Sequence, residues 1–366
     1  MKAERLYLDH AATTPVVPAA RAAMVEALAH WANPSSPHSD GRKARAALEA
    51  ARETVKTALD WDGEVLFTSG ASEAIFMALS GFDAVASAAE HDAVLNAVGA
   101  EARLVVDARG VVQLGSIALG RRYAIQHVNN ETGVVQPLAD LGAQIRAGGG
   151  LLFADCSQSA GKLALPDADI IAISAHKFGG PPGIGALLLR DLALLRPTGG
   201  QEKGYRRGTE NLPAVVGLAA ALESIVALAQ AGAAGGLAHT SRGSRLRGGD
   251  EHIKLREYLE EAIVSAGGEV VASDSPRLAT IGSYRMPGVS ASSQLIGFDM
   301  AGISVSAGSA CSSGTLKTSH VLGAMGWDAA AAGEVVRVSF GPETSAADID
   351  RFVAAWLTIK DRAQSA

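Results

Sequence analysis

The sequence predicts an α/β protein: a mainly parallel sheet covered by helices on both faces, followed by a smaller α+β domain towards the C-terminus. Short apolar runs alternate with helical patterns through the first two-thirds of the chain. Strands spaced by helices pair in parallel, because the intervening helix carries the chain back to the same end of the sheet. The 41 glycines and an aromatic content of only 5% favour tight strand-to-helix connections over a β-sandwich.

The elements follow in order. "EVLFTSG" (64–70) is an apolar run ending in a turn, and "ASEAIFMALSG" after it has helical spacing. "RRYAIQHVNNETG", "GLLFADCSQS" and "ADIIAISAHKFGG" repeat the strand-to-loop form, and "GIGALLLR" adds a further strand. "LPAVVGLAAALESIVALA", from Leu212, is interrupted by Glu223 and reads as a buried helix rather than a membrane span. The Gly/Ala-rich stretch 229–250 reads as a hinge or a weakly structured connection. An amphipathic helix (252–266), a strand near "LATIGSYR", a Gly/Ser-rich loop around Cys311, the strand "EVVRVSFG" and a last helix complete the chain.

Composition narrows the function. A length of 366 residues is more than one typical core supports and suggests about two domains. The net charge of −6 argues against nucleic acid as the main partner, since phosphate binding needs clustered Lys and Arg. The short basic run "SRGSRLRGG" reads as a solvated surface segment. The start, "MKAERLYLDHAATTP", carries charges where a secretion signal needs an apolar core, and no run is long enough to span a membrane. Cys156 and Cys311, far apart, form neither a disulfide framework nor a metal motif. The expectation is a cytoplasmic protein with reduced thiols, no metal and no membrane or nucleic-acid partner.

In α/β sheets ligands bind where strands end. The polar and small residues just past the predicted strands are Ser69, Ala71 and Ser72, then His91, Asn130, Asp155 and Gln158, and finally Ser174, His176 and Lys177. "TSGASEA" puts small residues at a helix start, where free N–H groups attract an anion; an ordinary cap by Ser69 or Ser72 is the alternative. Asp155 serves either as a helix cap or as a functional carboxylate. A lone histidine such as His91 is often structural; as a catalytic residue it would stack on a ring or move a proton. Lys177, directly after a strand buried on both faces, is harder to explain by structure alone. Burial lowers its pKa, as suits an amine that attacks an aldehyde. Together these groups suggest pyridoxal phosphate: the phosphate at the helix start, Lys177 on the aldehyde, and Asp155 keeping the pyridine nitrogen protonated.

The motifs resemble the cysteine desulfurases, the NifS/IscS group of class V, fold-type I pyridoxal phosphate enzymes. The matching stretches are "YLDHAATTP", "NPSSPHSDGR", "FTSGASEA", "EHDAV", "HVNNETGVVQP", "DCSQSAGK", "SAHKFGGPPGIGAL", "RRGTENLPAVVG", "SAGSACSSG" and "VVRVSFG", running from residue 7 to residue 341 in the family's order. The resemblance implies a large domain of residues 14–245 with a seven-stranded, mainly parallel sheet. Residues 1–13 and 246–366 would form the small domain, with the cysteine loop at about 304–318. It implies that Lys177 carries the cofactor and Asp155 partners its ring nitrogen. Ser72, Gln158, Ser174 and His176, with backbone help at Ala71, would hold the phosphate and the ring hydroxyl. His91 would stack over the ring. Asn33, Asn130 and Arg337 would bind the carboxylate side of the substrate, L-cysteine. Thr209 would reach the phosphate in the neighbouring subunit of a homodimer.

The same resemblance gives Cys311 its role: its thiolate takes the substrate's sulfur as a persulfide, L-alanine leaves, and the sulfur passes to an acceptor such as an iron–sulfur scaffold. The long stretch "CSSGTLKTSHVL" matches the long-loop group, and a mobile, uncrowded thiol fits the task. Cys156 reads as buried and inert. A selenocysteine lyase or an aminotransferase on the same fold would share Lys177 and Asp155, but an aminotransferase has no use for Cys311. A non-catalytic sulfur carrier predicts decay around Lys177, and there is none. A nicotinamide enzyme lacks its G-x-G-x-x-G here.

Overall fold

The computed structural model describes residues 5–99, 103–233, 249–308 and 318–364. The chain opens with β1 (Leu6–Tyr7), α1 (Pro18–Ala29) and α2 (Ser39–Leu59). It then enters the main sheet through β2 (Glu64–Thr68), α3 (Ala71–Leu79), β3 (Ala84–Ser87), α4 (Asp92–Val98) and β4 (Arg103–Leu104). β5 (Arg122–Gln126), α5 (Leu138–Ala147), β6 (Leu151–Asp155), β7 (Ile170–Ser174), β8 (Gly185–Leu189) and α6 (Leu212–Ala233) follow. The remainder is α7 (Gly249–Ser265), β9 (Glu269–Val270), β10 (Ile281–Arg285), α8 (Ala291–Met300), β11 (Ile303–Ser304), α9 (His320–Ala324), α10 (Ala329–Ala332), β12 (Val335–Ser339) and α11 (Ala346–Gln364).

Seven strands pair in the order β2-β8-β7-β6-β5-β3-β4. Only β8 runs against its neighbours, β2 and β7; the other pairs are parallel. β2 and β7 therefore point the same way, and the C-terminal ends of β2, β3, β5, β6 and β7 open on one edge. Along each strand alternate residues serve opposite layers. Val65, Phe67, Ile125, Leu152 and Ile171 pack with Leu48 of α2 and Val215 of α6. Leu66, Ala124, Phe153, Ile170 and Ala172 pack with Ala74, Ile75 and Leu79 of α3. Covering both faces is what makes the strands read as unbroken apolar runs.

α6 is buried over its first three turns, as expected: Leu212, Ala214, Val215, Leu218, Ala219, Ala221 and Leu222 are inside, while Glu223 and Leu228 further along face outward. No helix among the described residues is long and apolar enough to cross a membrane. The two ends of the expected 229–250 connection are helical, residues 229–233 belonging to α6 and 249–250 to α7, and residues 234–248 lie outside the described residues.

A second core gathers the C-terminal elements. β10 lies between β9 and β12, and β1 pairs in parallel with β11. The rings of Phe298 and Phe352 stack at 4.8 Å beside Trp356. Leu6 and Leu8 from the N-terminus join this core. Ala11 packs in a separate small cluster with Val128, Leu163, Leu278 and Ile281. The segment Asp9–Thr14 thus passes from the C-terminal core to the open edge of the main sheet.

Candidate active site

The turn after β2 is shaped to receive an anion. Gly70 has φ +147°, a conformation that suits glycine, and α3 starts at Ala71 with no side chain capping it. Gly185 lets β8 pass behind this turn: a Cβ there would lie 2.5 Å from the Ile173 carbonyl oxygen and 2.8 Å from the Gly70 carbonyl carbon. The uncapped N–H groups and the helix dipole leave a positive end facing the sheet edge.

Opposite it stand Asp155, the last residue of β6, and Ser174, the last of β7. Asp155 is buried, and its Oδ1 accepts a hydrogen bond from the Ser157 N–H at 2.9 Å. Gln158 donates through Nε2 to the Ala11 carbonyl at 2.8 Å, while its Oε1 is buried without a partner among the described residues. A single 3₁₀ turn, Ala175–Lys177, follows β7. Lys177 Nζ donates to the carbonyl oxygens of Ala11 at 2.7 Å and Ala12 at 3.0 Å. His176 Nδ1 lies 3.2 Å from Thr13 Oγ1. His91 caps α4, its Nδ1 accepting from the Ala93 N–H at 3.1 Å.

These residues surround one cavity of about 360 Å³. Ala71, Ser72, His91, Asn130, Asp155, Gln158, Ser174, His176 and Lys177 all line it. Three expected residues do not. Asn33 is exposed, and its Oδ1 accepts from the Ser35 N–H at 2.9 Å. Thr209 is exposed on the loop before α6. Arg337 is buried on β12, where Nη2 donates to Asp9 Oδ1 at 2.8 Å and Nη1 to the Asn130 carbonyl at 3.0 Å. Its Nε is buried and has no partner among the described residues. Cys311 and residues 309–317 of its loop lie outside the described residues. Cys156 has no exposure, and burial pushes its thiol pKa up.

Burial, with help from the charge of Arg337, lowers Lys177 to about 8; Asp155 and Asp9 oppose the shift. Burial and then Lys177 lower His176 to about 4, so it is neutral near neutrality. Since the neutral amine is the nucleophile, reactivity grows as pH rises through the Lys177 pKa. At about pH 7 roughly a tenth of such amines are neutral, against under about a thousandth for an ordinary lysine. Uptake of pyridoxal phosphate by the stripped protein is therefore expected to accelerate with pH and level off above a midpoint near 8. A midpoint near the unperturbed 10.5 would contradict this environment.

Several participants are missing from the sequence reading. The Ala11 and Ala12 carbonyls leave no residue-type signature. Glu73, whose carboxylate accepts the Ser69 N–H, lies in the quoted "TSGASEA" but is spaced like an ordinary helix-start acid. Glu90 is fully buried beside His91, with Oε1 accepting from the Gln126 N–H at 2.8 Å. Burial raises its pKa well above that of a free carboxylate. The cavity as built fits pyridoxal phosphate. The uncapped start of α3 and the unpartnered Gln158 Oε1 await polar partners, and the amine and the carboxylate are the two groups that cofactor requires.

Residues 6–352 match the aminotransferase class-V family. A cysteine desulfurase of Cereibacter sphaeroides is 35% identical, the match covering 98% of this chain and 96% of the relative. One from Bradyrhizobium diazoefficiens is 37% identical, covering 96% and 93%. An IscS-like cysteine desulfurase of Mycobacterium tuberculosis is 35% identical, covering 94% and 93%. Among solved structures, a NifS-like protein superposes with a TM-score of 0.83 at 28% identity, over 99% of this chain and all of the other. SspA in complex with cysteine superposes with a TM-score of 0.75 at 29% identity, over 93% of this chain and 100% of that one.

Proposed function

The chain belongs to the aminotransferase class-V family and its function is that of a cysteine desulfurase, and on that premise we propose how its residues divide the work. The observation that carries the assignment is Lys177, an amine of lowered pKa at a strand end, facing a cavity that also holds a carboxylate and an anion-receptive helix start. Pyridoxal phosphate would bind there, with its phosphate at Ala71 and Ser72 and at the start of α3. Asp155 would partner the ring nitrogen, and Gln158, Ser174 and His176 would hold the phosphate and ring hydroxyl. His91, at the cavity wall, would cover the ring. When bound, the cofactor supplies a conjugated system that takes up the electron pair left as a proton leaves an amino acid's Cα.

Lys177 moves that proton. Its neutral amine takes it from the substrate Cα, and burial keeps the amine available for the transfer. Arg337, with an unpartnered Nε and a fork fixed by Asp9 and the Asn130 carbonyl, would hold the substrate carboxylate together with the Asn130 and Asn33 side chains. Cys311 accepts the sulfur. The carbon–sulfur bond of L-cysteine breaks as a sulfur–sulfur bond to Cys311 forms, and the carbon retains the electron pair and is protonated, leaving L-alanine and an enzyme persulfide. No other oxidant or reductant is needed.

Thr209 would complete the phosphate site of a second subunit in a homodimer. Its exposure, outside its own subunit's cavity, supports this. A division into residues 14–245 and residues 1–13 with 246–366 is supported by the pairing of β1 with β11. The sulfur would go to an acceptor protein such as an iron–sulfur scaffold, in the reducing cytoplasm. Product analysis tests the assignment. L-cysteine should yield L-alanine and protein-bound sulfur in equal amounts, with no keto acid. Keto acid formation would favour an aminotransferase, and a strong preference for L-selenocysteine would favour a lyase.

A further inference from the structure

We propose that Arg206 is a positioning residue that couples the two cofactor sites of the dimer, by tying the loop that carries Thr209 to the phosphate turn of its own subunit. This rests on the reading above, in which Thr209 serves the neighbouring subunit's cofactor.

The loop between β8 and α6 is fastened at two places, to β2 and to the β2–α3 turn. Glu202, fully buried, accepts from Arg52 Nη1 at 2.8 Å and Nη2 at 3.2 Å, and from the Phe67 N–H at 2.8 Å. This bond takes up a backbone donor of β2, the strand that leads into the phosphate turn. Closer to the turn, Arg206 Nε bridges both carboxylate oxygens of Glu73 at 3.2 Å. Glu73 in turn accepts the N–H of Ser69, the first residue of the turn. Thr209 follows Arg206 by three positions in the chain, with the Arg206 Nη1 contact to the Gly208 carbonyl at 3.4 Å between them.

Arg206 also balances charge there. It lines a gap of about 20 Å³ with Glu210, Ser69 and Gly183, and the last two also line the main cavity. Both carboxylate oxygens of Glu210 are buried and have no partner among the described residues. Without Arg206, two carboxylates would stand unopposed behind the site meant for a phosphate.

The coupling follows from what each cofactor phosphate must order. A phosphate bound in one subunit orders that subunit's turn and the neighbour's Thr209. Through Arg206 and Glu73, the neighbour's loop orders the neighbour's own turn. The second phosphate then meets a site whose ordering cost has already been met, which is positive cooperativity without a large change of shape.

The test is titration of the cofactor-stripped dimer with pyridoxal phosphate, with the dimer checked by sedimentation. The wild type should fill its second site about tenfold more tightly than its first, an ordinary magnitude for coupled sites. Arg206→Gln should bind in two equal, weaker steps while remaining dimeric. Arg206→Lys keeps the cation, guards against a folding defect in the first variant, and should recover part of the cooperativity. Equal steps in the wild type, or undiminished cooperativity in Arg206→Gln, would overturn the proposal. Thr209→Ala separates the two levels. Unchanged cofactor affinity in that variant would overturn the placement of Thr209 in the partner's site, and the coupling with it. Weakened affinity there, alongside undiminished cooperativity in Arg206→Gln, would overturn the coupling alone.

Discussion

Lys177→Ala should lower the rate of alanine formation from L-cysteine by at least about 10³-fold, while the protein still binds pyridoxal phosphate. The Lys177 amine makes its hydrogen bonds to the carbonyls of Ala11 and Ala12, not to the groups assigned to the phosphate or the ring nitrogen. Its loss therefore leaves the anion-receptive turn and Asp155 in place. What disappears is the one amine that lines the cavity among the described residues, the group proposed to take a proton from Cα. Lys162 does not replace it: burial and the charge of Lys177 lower it to about 8, but it does not line the cavity. Lys177→Arg should be as inactive, because a guanidinium keeps its proton at any working pH. Added methylamine should restore part of the activity to Lys177→Ala and none to Lys177→Arg. Turnover of Lys177→Ala within tenfold of wild type, measured as alanine released, would remove Lys177 from the proton transfer.

The legible part of this site is the part that strand ends display. Both faces of the main sheet are covered, so β5, β6 and β7 read as apolar runs, and the first polar residue after each marks the open edge. Register then brings such residues together: Gln126 lies opposite Asp155 across the β5–β6 pair. Nine of the expected residues share one cavity for this reason. Contacts between distant segments leave no such trace. The pairing of Arg337 with Asp9 joins the last strand to the N-terminus, and nothing in either local sequence requires it. The carbonyls that hold the Lys177 ammonium belong to alanines, whose side chains say nothing about their backbone. Glu73 looks like an acid at a helix start, and only the fold brings Arg206 to it. Thr209 is a different case: it is exposed on its own chain, and in the role proposed for it the group it serves would belong to another subunit.

Cys311→Ala should abolish protein-bound persulfide and lower alanine formation by at least about 10³-fold, while uptake of pyridoxal phosphate remains at wild-type affinity. The chain has two thiols, and the structure removes one from contention. Cys156 has no exposure and sits in the core behind the sheet with Ala154 and Ala160. Burial is the largest influence on it and raises its pKa, so it holds its proton where a nucleophile must lose one. Its backbone fixes it further, since Cys156 N–H bonds the Ala172 carbonyl of β7 and its own carbonyl receives the Ser159 and Ala160 N–H groups. Sulfur leaving L-cysteine needs a thiolate that can approach it in line, the role proposed for Cys311. Cys156→Ala is the matched control: it opens a small core cavity, costs about 1 kcal/mol of stability, and keeps persulfide formation. Labelled sulfur from L-cysteine should thus be found on Cys156→Ala protein and be absent from Cys311→Ala. Label retained on Cys311→Ala would mean that another group takes the sulfur, or that it leaves as free sulfide and returns, and Cys311 would lose its place in the transfer.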